Sequence, residues 1–181
     1  NAPQQTVQGG KYSVDITQTQ SKAILNWDSF SIGRNTTLNF KQQSSDWIAF
    51  NRVNEAPTSA APSQILGNVN AIGSVYVVNR NGIIFGSGSQ VNVHTLIASD
   101  LDVGGFGLTR QARDAFFQST GIGGTGNNNL VFSNTWPVTK DSKGTPGDKI
   151  GGGVYVQPGA TISTSLLTPD TPGSIFLFGA N

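Results

Sequence analysis

Residues 82–96, GIIFGSGSQVNVHTL, are echoed by residues 153–167, GVYVQPGATISTSLL. Gly82 falls on Gly153, Ile83 on Val154, Phe85 on Val156, Gly88 on Gly159 and Val91 on Ile162. Each copy reads as glycine, short strand, glycine-containing corner and second strand. A recurring unit of this kind cannot cover its own apolar face, so copies must stack as coils of a β-solenoid or pair as hairpins of a sandwich. The solenoid is the preferred reading. In it each strand pairs with its counterpart one coil above at about 4.8 Å, inward Val, Ile, Leu and Phe stack in columns, and corner Gly or Asn supplies positive φ.

The same frame explains the stretch just before, VYVVNRNGIIFG at 75–86. SVYVV and GIIF become consecutive strands of one coil, and Asn79-Arg80-Asn81-Gly82 becomes the corner between them, with Asn and Gly expected to take left-handed φ values. Further strand-like pieces are YSVDI, AILNW, TLNF, WIAF, QVNV, LIASDLDV, ATIS and SIFLF, short and separated by turn signals. Only residues 108–117, LTRQARDAFF, read as helical, with Leu108, Ala112, Ala115 and Phe116 on one face. Residues 54–64 and 120–149 are rich in Pro, Gly, Ser or Asn and read as loops or extrusions, the second holding an extra hairpin built on Leu130, Val131, Phe132, Trp136 and Val138. Residues 6–20 are the candidate N-terminal cap, which any solenoid needs against edge pairing.

Composition agrees with an all-β chain of one domain. The 181 residues include 23 Gly, and only 12% are charged, with a net charge of +1. No electrostatic footprint for nucleic acid exists, so that partner is excluded. There are no cysteines, hence no disulfide framework and no Cys-based metal or redox site. Methionine is also absent, which points to trimming at the N-terminus and a signal peptide outside this chain. No apolar run approaches the roughly 20 residues of a membrane span.

Candidate chemistry is sparse. His94 alternates with Val93 and reads as a surface or loop residue, since one histidine without carboxylates makes no metal site. Asp100 and Asp102 stand at i and i+2, so on one continuous strand both would face solvent while Leu101 and Val103 point inward. GGTGNNN at 123–129 lacks the recurring Asp of a calcium repeat. Trp27, Trp47 and Trp136 could stack on sugars, although Trp27 and Trp47 sit in strand patterns and read as packing residues. Neither a catalytic set nor a metal or cofactor site is expected.

Several of these motifs carry a family resemblance. The chain resembles the N-terminal two-partner secretion domain of the filamentous-haemagglutinin family of large bacterial exoproteins. The resemblance rests on VYVVNRNGIIFG, AILNWDSFSIG (23–33), IAFNRV (48–53), SQILGNVNAIG (63–73) and GSQVNVHTLIASDLDV (88–103), in the family's order, and on the closing VYVQPGATISTSLL and PGSIFLFGA. Residues 51–53, Asn51-Arg52-Val53, are similar to the high-molecular-weight adhesin subgroup. The resemblance implies a right-handed parallel β-helix with an N-terminal β cap (1–22), first coils (23–103), a variable extrusion with hairpins and one short helix (104–150), and further coils (151–181). It implies a fragment of a larger exoprotein, expected as a monomer, passing the periplasm and ending secreted or on the cell surface. The implied partner is a cognate outer-membrane transporter with POTRA modules and a barrel, reading Asn79, Arg80, Asn81, Gly82 and Ile83, with Asn51, Arg52 and Val53 as a second motif. Arg80 stands where the family motif has Pro; the loss of a fixed φ is expected to loosen the corner by about 0.5–1 kcal/mol through the unfolded state. Two other readings stay open: direct adhesion to host or matrix glycans, and a carbohydrate-active β-helix enzyme, which would need an acid cluster that the scattered acids do not supply.

Overall fold

The computed structural model describes residues 2–53, 61–103, 114, 116–118, 132–133, 152–164 and 173–179. Sheet A runs β1 (Gln4–Gln8), β2 (Lys11–Thr17), β4 (Thr36–Lys41), β7 (Asn68–Ala71), β10 (Gln90–Val93) and β15 (Thr161–Thr164). Sheet B runs β3 (Lys22–Trp27), β5 (Ile48–Val53), β8 (Ser74–Val78), β11 (Thr95–Ser99) and β16 (Ile175–Phe178). Sheet C holds β6 (Ser63–Ile65), β9 (Ile83–Phe85) and β14 (Val154–Val156). The chain visits A, B and C in turn, and each strand pairs in parallel with its counterpart one coil on. This is a parallel β-helix. At its N-terminal end β1 folds back antiparallel on β2 through Gly9 and Gly10, both at positive φ, and caps sheet A. β2 itself pairs in parallel with β4, so the segment read as cap also lays the first strand of the first coil.

The repeat seen in the sequence is the stacking register. Ile83 pairs with Val154, Phe85 with Val156 and Val91 with Ile162. At the corners, Gly88 N–H donates to Gly159 O at 3.0 Å, and Gly82, Gly88, Gly153 and Gly159 have φ of 99°, 81°, 73° and 85°. The asparagines do not share this conformation. Among the described residues every positive φ belongs to glycine, so the corner asparagines act through their side chains instead.

Alternation along the strands separates the inside from two unlike outer faces. Leu38, Phe40, Ala49, Val53, Val69, Val75, Val77, Phe85, Val91 and Leu96 belong to one continuous interior cluster. Outside sheet B, Ile48, Phe50, Tyr76, Val78 and Ile97 form a second buried cluster, completed by Phe116 and packed against Phe132, Phe176 and Phe178. Outside sheet A, the Asn39 amide donates to Asp15 Oδ1 (2.8 Å), Asn70 to Asn39 Oδ1 (3.1 Å) and Asn92 to Asn70 Oδ1 (3.5 Å), while the Ser163 hydroxyl donates to Asn92 Oδ1.

Two expectations need correction. LIASDLDV is not one strand: β11 ends at Ser99, a bend follows, and β12 (Asp102–Val103) leaves the coil to pair antiparallel with β13 (Phe132–Ser133). Phe132 is thus the one member of the expected hairpin that the described residues include. Asp100 does not reach solvent either. It is 0% exposed and its Oδ2 accepts the Gly153 N–H at 2.9 Å. The alternation rule fails here because the strand breaks at this residue. Residues 114 and 116–118 are helical, at the end of the stretch expected as a helix, and Phe116 is buried. Residues 108–113, 123–129 and 136 lie outside the described residues.

Candidate functional site

The site singled out by the sequence is the corner where β8 of sheet B turns into β9 of sheet C. Asn79 opens the turn: its C=O accepts Gly82 N–H at 2.9 Å, closing a four-residue β-turn, and its Oδ1 accepts Asn81 N–H at 2.9 Å. With Arg80 and Asn81 both at negative φ, the turn has the chemistry of type I, which favours Asn at the first position, Pro at the second and Gly at the fourth. Arg80 occupies the position that Pro suits. Gly82 is required twice over. It sits at positive φ, and a Cβ there would meet the carbonyl oxygens of Gly152 and Gly153 at 2.7 Å.

The corner is built into its neighbours. The Asn79 amide donates to Ser63 Oγ (3.0 Å) and Ala61 O (3.3 Å), and the Asn79 N–H donates to Ser99 O (3.0 Å). Arg80 O accepts Gly152 N–H, Gly82 O accepts Ser63 N–H, and Ile83 N–H donates to Gly153 O. A Cβ on Gly152 would lie 1.8 Å from Asn81 O, so backbone stacks directly on backbone. Asp100, one coil on, closes the same corner through Gly153.

The second motif lies in the same place, one coil earlier. β5 pairs with β8 through Asn51↔Val77 and Arg52↔Val78, which sets Val53 beside Asn79. Asn51 is 0% exposed, on the interior side of β5 with Ala49 and Val53. There Oδ1 accepts the Trp27 indole N–H at 3.0 Å, and the amide donates to Ala49 O and Tyr76 O at 3.2 Å each. These bonds satisfy a polar group whose burial would otherwise cost about 1–3 kcal/mol. The structure therefore brings both motifs into one stacked corner and buries them: Asn79 is 2% exposed, Arg80 8%, Arg52 7% and Val53 3%, while Ile83 and Gly82 are also buried. Only Asn81 is half exposed.

Sequence reasoning missed Ser63, Gly152 and Asp100 as parts of this corner. The glycine run at 151–153 was the available signal for Gly152. Nothing in the sequence tied Ser63 or Asp100 to the corner. His94, by contrast, sits half-buried in the bend between β10 and β11, where its N–H donates to Gly73 O. Trp27 and Trp47 are half-buried, and Trp27 packs against the interior. Among the described residues no three His, Asp or Glu side chains gather where they could hold a metal ion.

Stacked coils, a capping hairpin and a buried Asn-Gly corner define a class of β-helical domain. The family of TPS secretion domains matches residues 1–130, and the chain belongs to that family. Heme/hemopexin-binding protein of Haemophilus influenzae (strain ATCC 51907 / DSM 11121 / KW20 / Rd) is 38% identical over 95 residues, 52% of this chain and 10% of that protein. A second Haemophilus influenzae heme/hemopexin-binding protein is 38% identical over 88 residues, 49% of this chain and 9% of its own length. The chain thus spans about a tenth of the curated relatives it matches. Among solved structures, the HMW1 secretion domain from Haemophilus influenzae is 31% identical with a TM-score of 0.48, covering 62% of this chain and 28% of that one.

Proposed function

We propose that this chain is the secretion-targeting and folding-nucleation domain of a large bacterial surface exoprotein, recognised in the periplasm by a cognate outer-membrane transporter with POTRA modules and a barrel. It acts without a cofactor and without catalysing a reaction. Residues 1–22 serve as cap, 23–103 as first coils, 104–150 as variable extrusion and 151–181 as further coils.

The observation that carries this reading, beside family membership, is the burial of both motifs at one corner. Asn79, Arg80, Gly82, Ile83, Asn51, Arg52 and Val53 offer almost no surface once the coils have stacked. A partner that reads them must therefore read the chain before it folds, as an extended segment added to a sheet edge. The same residues then close the corner outside the cell. Each coil supplies the edge on which the next one stacks, and folding outside opposes return.

The test is export of the exoprotein from cells with and without the transporter, followed by Asn79→Ala. Release that needs the transporter and falls with Asn79→Ala is expected. Equal release in both strains would sink the secretion reading and make glycan binding by the isolated domain the next assay. Unchanged release of Asn79→Ala would remove the recognition role of the corner alone.

A further inference from the structure

We infer that the free edge of β1 is the docking edge for a strand of the transporter's periplasmic part, an inference that rests on the function proposed above and names the surface it would use. Every parallel pair in the coils joins residues a full coil apart in sequence; even the nearest, Ser63 and Ile83, needs a complete circuit of the chain. β1 and β2 need only the two-residue Gly9–Gly10 turn, with Gln8 opposite Lys11. Among the strand pairs of the described residues, loop closure therefore favours this hairpin as the one that can form while the coils stay extended. An isolated hairpin is marginal in water and gains stability when a third strand joins it.

The geometry says which groups face the joining strand. In an antiparallel ladder, residues exchange hydrogen bonds with the partner at alternate positions and point away at the others. The Tyr12 N–H donates to Asn35 O, on the side of β4, so Tyr12 and its partner Val7 form a pair that does not bond across β1 and β2. By the same alternation Gln5, opposite Val14, also turns its N–H and C=O outward. Gln5 and Val7 thus present two donors and two acceptors along the edge of sheet A, where β1 is the last strand among the described residues.

That edge also lacks the devices that protect strands from pairing. Gln4-Gln5-Thr6-Val7-Gln8 carries no charge, no proline and no bulge, every residue is exposed, and Val7 is 58% exposed. β3, the end strand of sheet B, differs on both counts. It begins with Lys22, whose ammonium donates to Phe116 O and Phe117 O, and its sheet exists only once Ile48 has arrived opposite it.

The experiment uses the full exoprotein in cells carrying its transporter. Release of the wild-type chain must first depend on the transporter; if it does not, the secretion reading fails before β1 is altered. Gln5→Pro with Val7→Pro then removes both outward donors while leaving the β1–β2 bonds in place. About a tenfold fall in transporter-dependent release is expected from two lost hydrogen bonds, with the thermal melt of the purified domain unchanged. In parallel, a photo-crosslinking phenylalanine in place of Gln5 should give an adduct with the transporter, and one in place of Asn92 should not. Wild-type release of the double proline chain overturns the inference. So does the absence of a transporter adduct at position 5, which decides the matter if the prolines lower the melt. An adduct between two copies of this chain would assign the edge to self-association and overturn it too.

Discussion

The outer faces of sheets A and B share coils, pitch and register, yet they stack by opposite chemistry. On sheet A, Asp15, Asn39, Asn70, Asn92 and Ser163 are joined coil to coil by side-chain hydrogen bonds, and the face stays wet. On sheet B, Ile48, Phe50, Tyr76, Val78 and Ile97 are sealed beneath Phe116, whose ring meets Phe50 at 5.6 Å between centroids. The amide ladder needs nothing beyond the next coil. The apolar face depends on residues far along the chain, and Lys22, bound to the carbonyls of Phe116 and Phe117, pins that cover to the first coil. A coil can stack correctly and still leave sheet B unfinished until the cover arrives.

The largest effect should come from that cover. Phe116→Ala empties a fully buried site and is expected to cost about 3–5 kcal/mol in a denaturant melt; a loss no larger than that of a surface residue would break the contrast between the faces. Next comes pH. Burial pushes the Tyr76 phenol up to about 12 from its ordinary 10.0. The native state then keeps its proton where the unfolded chain has lost it, so stability should fall as pH rises from about 10 to about 12, by about 2–3 kcal/mol in all. Tyr76→Phe should flatten that part of the profile. The smallest change is expected on sheet A, where Asn39→Ala removes its bonds to Ser13, Asp15 and Asn70 from a half-exposed face, at about 1–2 kcal/mol in all. A cost above that of Phe116→Ala would make the ladder, and not the cover, the stronger brace.

Much of this was legible in the sequence, and the reasons differ by region. The echo between 82–96 and 153–167 named pairs that the register reproduces, because a parallel stack forces like residues into columns. The strand β6, Ser63–Ile65, begins inside the stretch 54–64 read as loop, because three residues carry too little period, and in β1 glutamines obscured the alternation. Asp100 was misread because a strand break is a tertiary event that local periodicity does not encode. The corner asparagines were read as backbone formers, whereas Asn79 works by side-chain bonds that only the folded neighbours Ser63 and Ala61 reveal. Asn51 was read only as part of a motif; alternation with Ala49 and Val53 puts it inside, where the Trp27 indole meets it.

The step from β8 to β9 takes residues 79–82, and the same step one coil later, from β11 to β14, takes residues 100–153. Both land in register on sheet C, since β9 and β14 pair residue for residue. The entropy of a closed segment rises only with the logarithm of its length, so the solenoid is nearly indifferent to how much chain leaves and returns at this point. A change in the length of chain inserted at that corner therefore need not disturb the winding on either side of it.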